Sequence, residues 1–134
     1  MIKIIDYKAG NAPSVMCAVR HLGYDAEFAR NPADLENASF IILPGVGSAR
    51  ATMDSLREMD LLNVLEDRAL NKKTPFLGIC VGMQILFEHS EEENADCLGW
   101  LGGSVVKRMR KITDIFPNLI YCKYASVFFL YTNP

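Results

Sequence analysis

One stretch decides the fold of this 134-residue chain: Gly78-Ile79-Cys80-Val81-Gly82-Met83-Gln84. A short apolar run, Pro75-Phe76-Leu77, precedes it and predicts a strand. Apolar residues at helical spacing follow it and predict a helix that continues to about His89. A sharp turn from strand to helix needs small residues around its central residue, and glycines flank Cys80 on both sides. The stretch therefore predicts a nucleophile elbow with Cys80 at its apex.

The thiol of Cys80 is the candidate nucleophile. At a helix N-terminus, free N–H groups and the helix dipole favour the thiolate, which is the reactive form of cysteine. The alternative is a structural cysteine, because cysteine is among the most frequently buried residues. The glycine on each side, at a strand-to-helix junction, favours the nucleophile.

Upstream of the elbow, apolar runs alternate with helical patterns. Strands that are apolar on both faces and alternate with helices are typical of a parallel sheet covered by helices. We therefore predict an α/β fold, a mostly parallel sheet with helices on both faces in flavodoxin-like layers. The predicted strands are Ile2–Ile5, Asp25–Ala29, Phe40–Leu43 and the run at Phe76, and the predicted helices cover Val15–Leu22, Pro32–Leu35, Ala49–Arg57 and Leu61–Leu70.

Functional loops in such sheets follow the carboxyl ends of the strands, and a second glycine-containing turn is found there. Pro44-Gly45-Val46-Gly47-Ser48 follows the third strand and can aim backbone N–H groups at a developing oxyanion, with the Val81 N–H as second donor. Taken alone, this turn is better explained as an ordinary βα connection, because two glycines one residue apart are weak evidence for a site. Gln84 lies one helical turn after Cys80, where it either holds a polar substrate group or faces solvent.

Composition limits the class of protein. The net charge of −2 gives no reason to expect nucleic acid or an anionic membrane as partner, and no apolar run approaches the ~20 residues of a membrane span. The sequence calls for no cofactor and predicts a cytoplasmic protein. A zinc site and a disulfide scaffold are both disfavoured because the four cysteines are scattered and form no Cys-x-x-Cys pair; they are Cys17, Cys80, Cys97 and Cys122.

The two turns together resemble a known family, the class I (triad) glutamine amidotransferases. Within it, the sequence is most similar to the glutaminase subunits of imidazole glycerol phosphate synthases. The segments Asp6–Val15 and Phe87–Gly103 share that resemblance, which covers residues 1 to about 111. We therefore expect one domain over residues 1–134, C-terminally incomplete, with a divergent tail at 112–134.

The resemblance implies an enzyme of histidine biosynthesis, with hydrolase and lyase chemistry divided between two subunits. This subunit would hydrolyse L-glutamine through a Cys80 thioester and pass ammonia to a (β/α)8-barrel cyclase in a heterodimer. The backbone of Val46 and Gly47 and the Val81 N–H would form the oxyanion site, and Gln84 would help to hold glutamine. The resemblance leaves open a glutaminase module for another, sugar-modifying acceptor.

The predicted site lacks a base. The family supplies a histidine and a glutamate from a Phe-His-Pro-Glu-type motif, which this chain does not contain. His21 and His89 are its only histidines, and both are predicted at helix C-termini, on the edge of the sheet opposite to Cys80. We therefore expect little or no glutaminase activity from these 134 residues.

Two functions of other classes remain open. A noncatalytic binding or regulatory subunit on a barrel partner would need no base. A hydrolase or stress-protein relative with a cysteine elbow would need an acidic or histidine neighbour at the elbow, where this chain has Gln84. A receiver domain is disfavoured because the third strand ends in Leu43-Pro44, not in a phosphoacceptor aspartate.

Overall fold

The computed structural model describes residues 1–106 and the strand at 127–130. Strands and helices alternate through the first 80 residues, as the sequence predicts. In chain order the elements are β1 (Ile2–Ile5), α1 (Ala12–His21), β2 (Ala26–Ala29), a 3-10 turn (Pro32–Leu35), β3 (Phe40–Leu43), α2 (Ala49–Glu58), α3 (Leu62–Glu66), a π-helical turn (Asp67–Asn71), β4 (Phe76–Ile79), α4 (Val81–Gln84), β5 (Phe87–Ser90), a 3-10 turn (Glu92–Asn94), β6 (Ala95–Asp96), β7 (Leu101–Val105) and β8 (Val127–Leu130).

The main sheet of the described residues has the strand order β2-β1-β3-β4-β8. Its first four strands are parallel, with Ile41 of β3 opposite Phe76 of β4, and β8 is antiparallel to β4. The predicted mostly parallel α/β sheet is confirmed. The predicted divergence of the tail at 112–134 concerns residues that, apart from the backbone of β8, lie outside the described part.

Buried apolar residues form two clusters, one on each face of the sheet. Successive residues of a strand point to opposite faces, so Ile4 belongs to one cluster and Ile5 to the other. Helix α1 covers the first face with Met16 and Val19, whereas α2 and α3 cover the second. The helix predicted over Val15–Leu22 spans Ala12–His21 in the structure, and Leu22, just after its end, is 71% exposed.

The predicted helix from the elbow to His89 is wrong, because α4 ends at Gln84. In a longer helix, the carbonyl groups of Ile85 and Leu86 would accept hydrogen bonds from residues of the next turn. In the structure, Ile85 O accepts a hydrogen bond from Leu98 N at 2.8 Å, and Leu86 O accepts one from Leu101 N at 2.9 Å. The side chains of Ile85 and Leu86 are fully buried. An apolar pattern of this kind is therefore compatible with a single helical turn followed by a strand, as well as with a long helix.

A second, smaller sheet follows, in the order β6-β5-β7. His89 lies in β5, not at a helix end, and its Nδ1 is 3.1 Å from Asp96 Oδ1 of β6. Glu88, also in β5, accepts a hydrogen bond from the Gly103 N–H at 3.1 Å. Within the described ranges, no helix has both the length and the apolar character to cross a membrane.

Candidate active site

Cys80 occupies the apex of the turn between β4 and α4. Its φ of 56° and ψ of −116° lie in a region that residues other than glycine rarely adopt. Its carbonyl accepts hydrogen bonds from Met83 N at 3.0 Å and Gln84 N at 3.1 Å, which begin the helix. The side chain is exposed to solvent. The backbone therefore presents the thiol outward at a helix N-terminus.

The turn requires glycine at positions 78 and 82, because a side chain at either position would not fit. A Cβ on Gly78 would be 2.7 Å from Met83 Cα, and a Cβ on Gly82 would meet the backbone of Leu43, at the end of β3. Real Cβ atoms do not approach other atoms so closely, so an alanine at either position would force the backbone apart. The elbow is thus packed directly against the end of the neighbouring strand.

The turn after β3 interlocks with the elbow. A Cβ on Gly45 would lie 2.8 Å from the carbonyl carbon of Val81 and 2.9 Å from its Cβ, so the two turns touch through their main chains. Gly47 has a φ of 85°, a left-handed conformation that glycine adopts without strain. The Ser48 hydroxyl then caps α2 by accepting a hydrogen bond from Ala51 N at 3.2 Å.

The predicted site residues are distributed over these two turns. Val46 and Gly47 are exposed and lie on the turn after β3, whereas Val81 is buried and follows Cys80 in the chain. Gln84, half-buried, is the last residue of α4 and lies one helical turn beyond Cys80. The geometry brings the two turns together as the sequence predicts, and the roles of their residues remain predictions.

Tyr7, which lies in the loop after β1, is a residue of the site that was not predicted from the sequence. The residue is 3% exposed, and its hydroxyl is 3.5 Å from Thr52 Oγ1 of α2. Burial raises the pKa of Tyr7, hydrogen bonding to Thr52 and to the backbone of Val46 opposes the shift, and the nearby Cys80 adds to it by charge repulsion. Tyr7 therefore lies beside both turns of the site. A tyrosine in a polar loop carries no periodic signal that would have indicated its burial.

The histidines do not join this group. His21 is the last residue of α1, which runs from the carboxyl edge of the sheet back to the amino edge, so it lies at the edge opposite to Cys80. His89 is engaged with Asp96 in the small sheet. Among the residues that the structure describes, no three His, Cys, Asp or Glu side chains are grouped so that they could hold a metal ion.

A parallel α/β sheet with a cysteine elbow packed against a glycine-containing turn defines the chain as a member of the cysteine-elbow α/β proteins. The sequence signature of class-I glutamine amidotransferases matches residues 3–116, and the chain belongs to that family. A crystal structure titled as a glutamine amidotransferase superposes with a TM-score of 0.64 over 75% of this chain and 52% of that one. At 20% identity, this likeness concerns the fold.

Several relatives carry the name imidazole glycerol phosphate synthase subunit HisH. HisH 1 of Campylobacter jejuni is 44% identical over 108 residues, which are 80% of this chain and 54% of that protein. HisH of Geobacillus sp. (strain WCH70) is 47% identical over 80% of this chain and 51% of its own length. HisH 2 of Methanococcus maripaludis is 40% identical over 80% and 53%, respectively. The chain thus spans about half the length of the curated relatives that it matches.

Proposed function

We propose that this chain carries the nucleophile-bearing part of the glutaminase subunit of imidazole glycerol phosphate synthase. The observation that supports it most is the exposed Cys80 at a strained elbow, in main-chain contact with the Gly45 turn. The names of its relatives support the same assignment. Residues 1–134 then belong to one amidotransferase domain, which acts in the cytoplasm in a heterodimer with a (β/α)8-barrel cyclase.

In the proposed reaction the Cys80 thiolate attacks the side-chain carbonyl carbon of L-glutamine. The carbonyl oxygen becomes an oxyanion, stabilised by N–H groups of the Val46-Gly47 backbone and of Val81, while Gln84 helps to hold the substrate. The C–N bond then breaks, the nitrogen takes a proton and ammonia leaves, with the acyl group on sulfur. Water hydrolyses this thioester to glutamate, and ammonia passes to the cyclase.

This reaction needs a group that protonates the leaving nitrogen, and the position of both histidines argues against either in that role. We therefore expect the 134-residue chain to release little or no glutamate from glutamine, with or without its cyclase, in a coupled glutamate dehydrogenase assay. The matched control is Cys80→Ala, which should be indistinguishable from the unmodified chain. Turnover close to that of a full-length HisH relative, lost in Cys80→Ala, would contradict this expectation.

The glutamine site can be tested without turnover. The diazoketone analogue of L-glutamine has a ketone carbon in place of the amide carbon and a diazo carbon in place of the amide nitrogen. The diazo carbon takes a proton from solvent, and a thiolate then attacks this carbon and displaces dinitrogen. We expect Cys80 to be labelled at least about tenfold faster than the exposed Cys17, because binding orients the reagent at Cys80. L-Glutamine should protect Cys80 and leave Cys17 unaffected, as measured by peptide mass spectrometry. Equal labelling without protection would refute the proposed function.

The position of the histidines also favours a second candidate, a noncatalytic subunit that docks on a barrel partner. In that case the chain would co-purify with the cyclase, release no glutamate and show no glutamine protection at Cys80. The labelling experiment therefore separates the two candidates.

A further inference from the structure

The hydroxyl of Tyr7 takes part in a directed chain of hydrogen bonds. Thr52 Oγ1 is 3.0 Å from the Ser48 carbonyl oxygen, which can only accept, so the single hydroxyl proton of Thr52 goes to Ser48. The hydrogen bond between Tyr7 and Thr52, long at 3.5 Å, must then be donated by Tyr7. The lone pairs of the phenol oxygen are then free for a donor, and the Val46 backbone lowers the pKa of Tyr7 as a hydrogen-bond partner, which only its N–H can do by donating to that oxygen.

This chain connects the two ends of the turn after β3. It begins at the Val46 N–H, passes through the hydroxyls of Tyr7 and Thr52, and ends at the Ser48 carbonyl. Because Thr52 lies in α2 and Tyr7 in the loop after β1, the turn is tied to two separate elements of the fold. A glycine-containing turn has few conformational restraints of its own, so these ties limit where its N–H groups point.

The ring of Tyr7 is itself held in place. It is buried, and a Cβ on Gly10 would lie only 2.6 Å from Cε1 and 2.8 Å from Cζ of the ring. The main chain at Gly10 therefore lies against the ring, beside Cε1 and the hydroxyl. Side-chain rotation that would move the hydroxyl away from Val46 would require this loop to move as well.

We propose that Tyr7 is a positioning residue for the glutamine site, holding the Val46 turn at the distance from Cys80 at which its N–H groups can meet the substrate carbonyl oxygen. This inference rests on the proposed function. Tyr7 acts through the turn and does not itself touch the substrate. It also connects the loop at Gly10, which follows β1 at the carboxyl edge of the sheet, to the reacting centre.

The test compares two reagents at one thiol in Tyr7→Phe, which removes the hydroxyl and keeps the ring. Reaction with the diazoketone analogue of glutamine depends on the turn, because its ketone oxygen occupies the place of the substrate carbonyl oxygen. Reaction with iodoacetamide depends only on the ionisation and exposure of the thiol. We expect the ratio of the two rates at Cys80 to fall about tenfold or more in Tyr7→Phe, since small displacements of orienting groups have effects of that size. Thr52→Val should act in the same direction.

Amide hydrogen exchange at Val46 provides a second measurement that needs no glutamine site. Loss of one hydrogen bond should accelerate that exchange about tenfold in Tyr7→Phe. The matched control is Tyr24→Phe, because Tyr24 is 61% exposed, and it should change neither the rate ratio nor the exchange of Val46.

Faster exchange at Val46 together with a lower rate ratio supports the inference. Unchanged exchange overturns it, because Tyr7 then does not hold the turn. Faster exchange with an unchanged ratio overturns it as well, because the turn then does not serve the site. If the unmodified chain shows no selective, glutamine-protected labelling at Cys80, the proposed function itself fails, and the inference fails with it.

Discussion

Replacement of Gly82 by alanine should lower the free energy of unfolding by about 3 kcal/mol or more, near the upper end of the effects of overpacking. The new methyl group would overlap the carbonyl group of Leu43, and it would lie 2.9 Å from the carbonyl carbon and 3.2 Å from Cγ of that residue. Relief would require β3 and the elbow to separate, because the first obstacle is main chain and not a flexible side chain. Urea denaturation followed by circular dichroism measures the change.

Gly102→Ala is the matched control for this prediction. Gly102 lies in β7, and no atom is found within 4 Å of the position that its Cβ would take. Its replacement should change the free energy of unfolding by less than about 1 kcal/mol. Equal stability of the two variants would show that the elbow and the end of β3 are not in contact, and the proposed site would lose its geometry.

Replacement of Cys80 by glycine should have two opposite consequences. Labelling by the diazoketone analogue should be lost at this position, since the sulfur is gone. The free energy of unfolding should rise by about 1 kcal/mol, because a residue with a side chain at φ 56° and ψ −116° is strained by about 1–3 kcal/mol, and the extra entropy of glycine in the unfolded chain offsets part of that gain. Chemical denaturation gives the second quantity.

Cys17→Gly is the control, for which we expect the opposite change in the free energy of unfolding. Cys17 is an exposed residue inside helix α1, where glycine is less favourable than other residues, so this variant should be destabilised by up to about 1 kcal/mol. A loss of stability in Cys80→Gly as large as that in Cys17→Gly would mean that the backbone at position 80 carries no strain. The elbow would then be an ordinary turn.

The main sheet and the elbow were predictable because their signals are local. Apolar runs such as Phe40–Leu43, which Pro44 and Gly45 follow, mark buried parallel strands and their ends. The predicted helical segment Pro32–Leu35 is a 3-10 turn, which the Asn31 side chain caps by accepting a hydrogen bond from Asp34 N at 3.2 Å. The glycines on both sides of Cys80 indicated the sharp turn by their lack of a side chain.

What the sequence did not reveal depends on contacts between distant residues. The helix of the elbow ends at Gln84 because the next two carbonyl groups accept hydrogen bonds from the N–H groups of Leu98 and Leu101. No sequence pattern near residue 85 indicates those partners. The strand that contains His89 was missed for the same reason. Tyr7 belongs to the site only through Val46 and Thr52, which lie about forty positions later in the chain.

The contact between Leu43 and Gly82 joins positions about forty residues apart, so the chain must close a long loop before it can form. A nascent or partly unfolded chain therefore has an ordinary thiol at position 80, without the neighbours that would make it selective. On the proposed function, selective labelling of Cys80 by the glutamine analogue should therefore appear only after β3 and β4 have come together. The rate of that labelling should then report the assembly of the native structure during refolding.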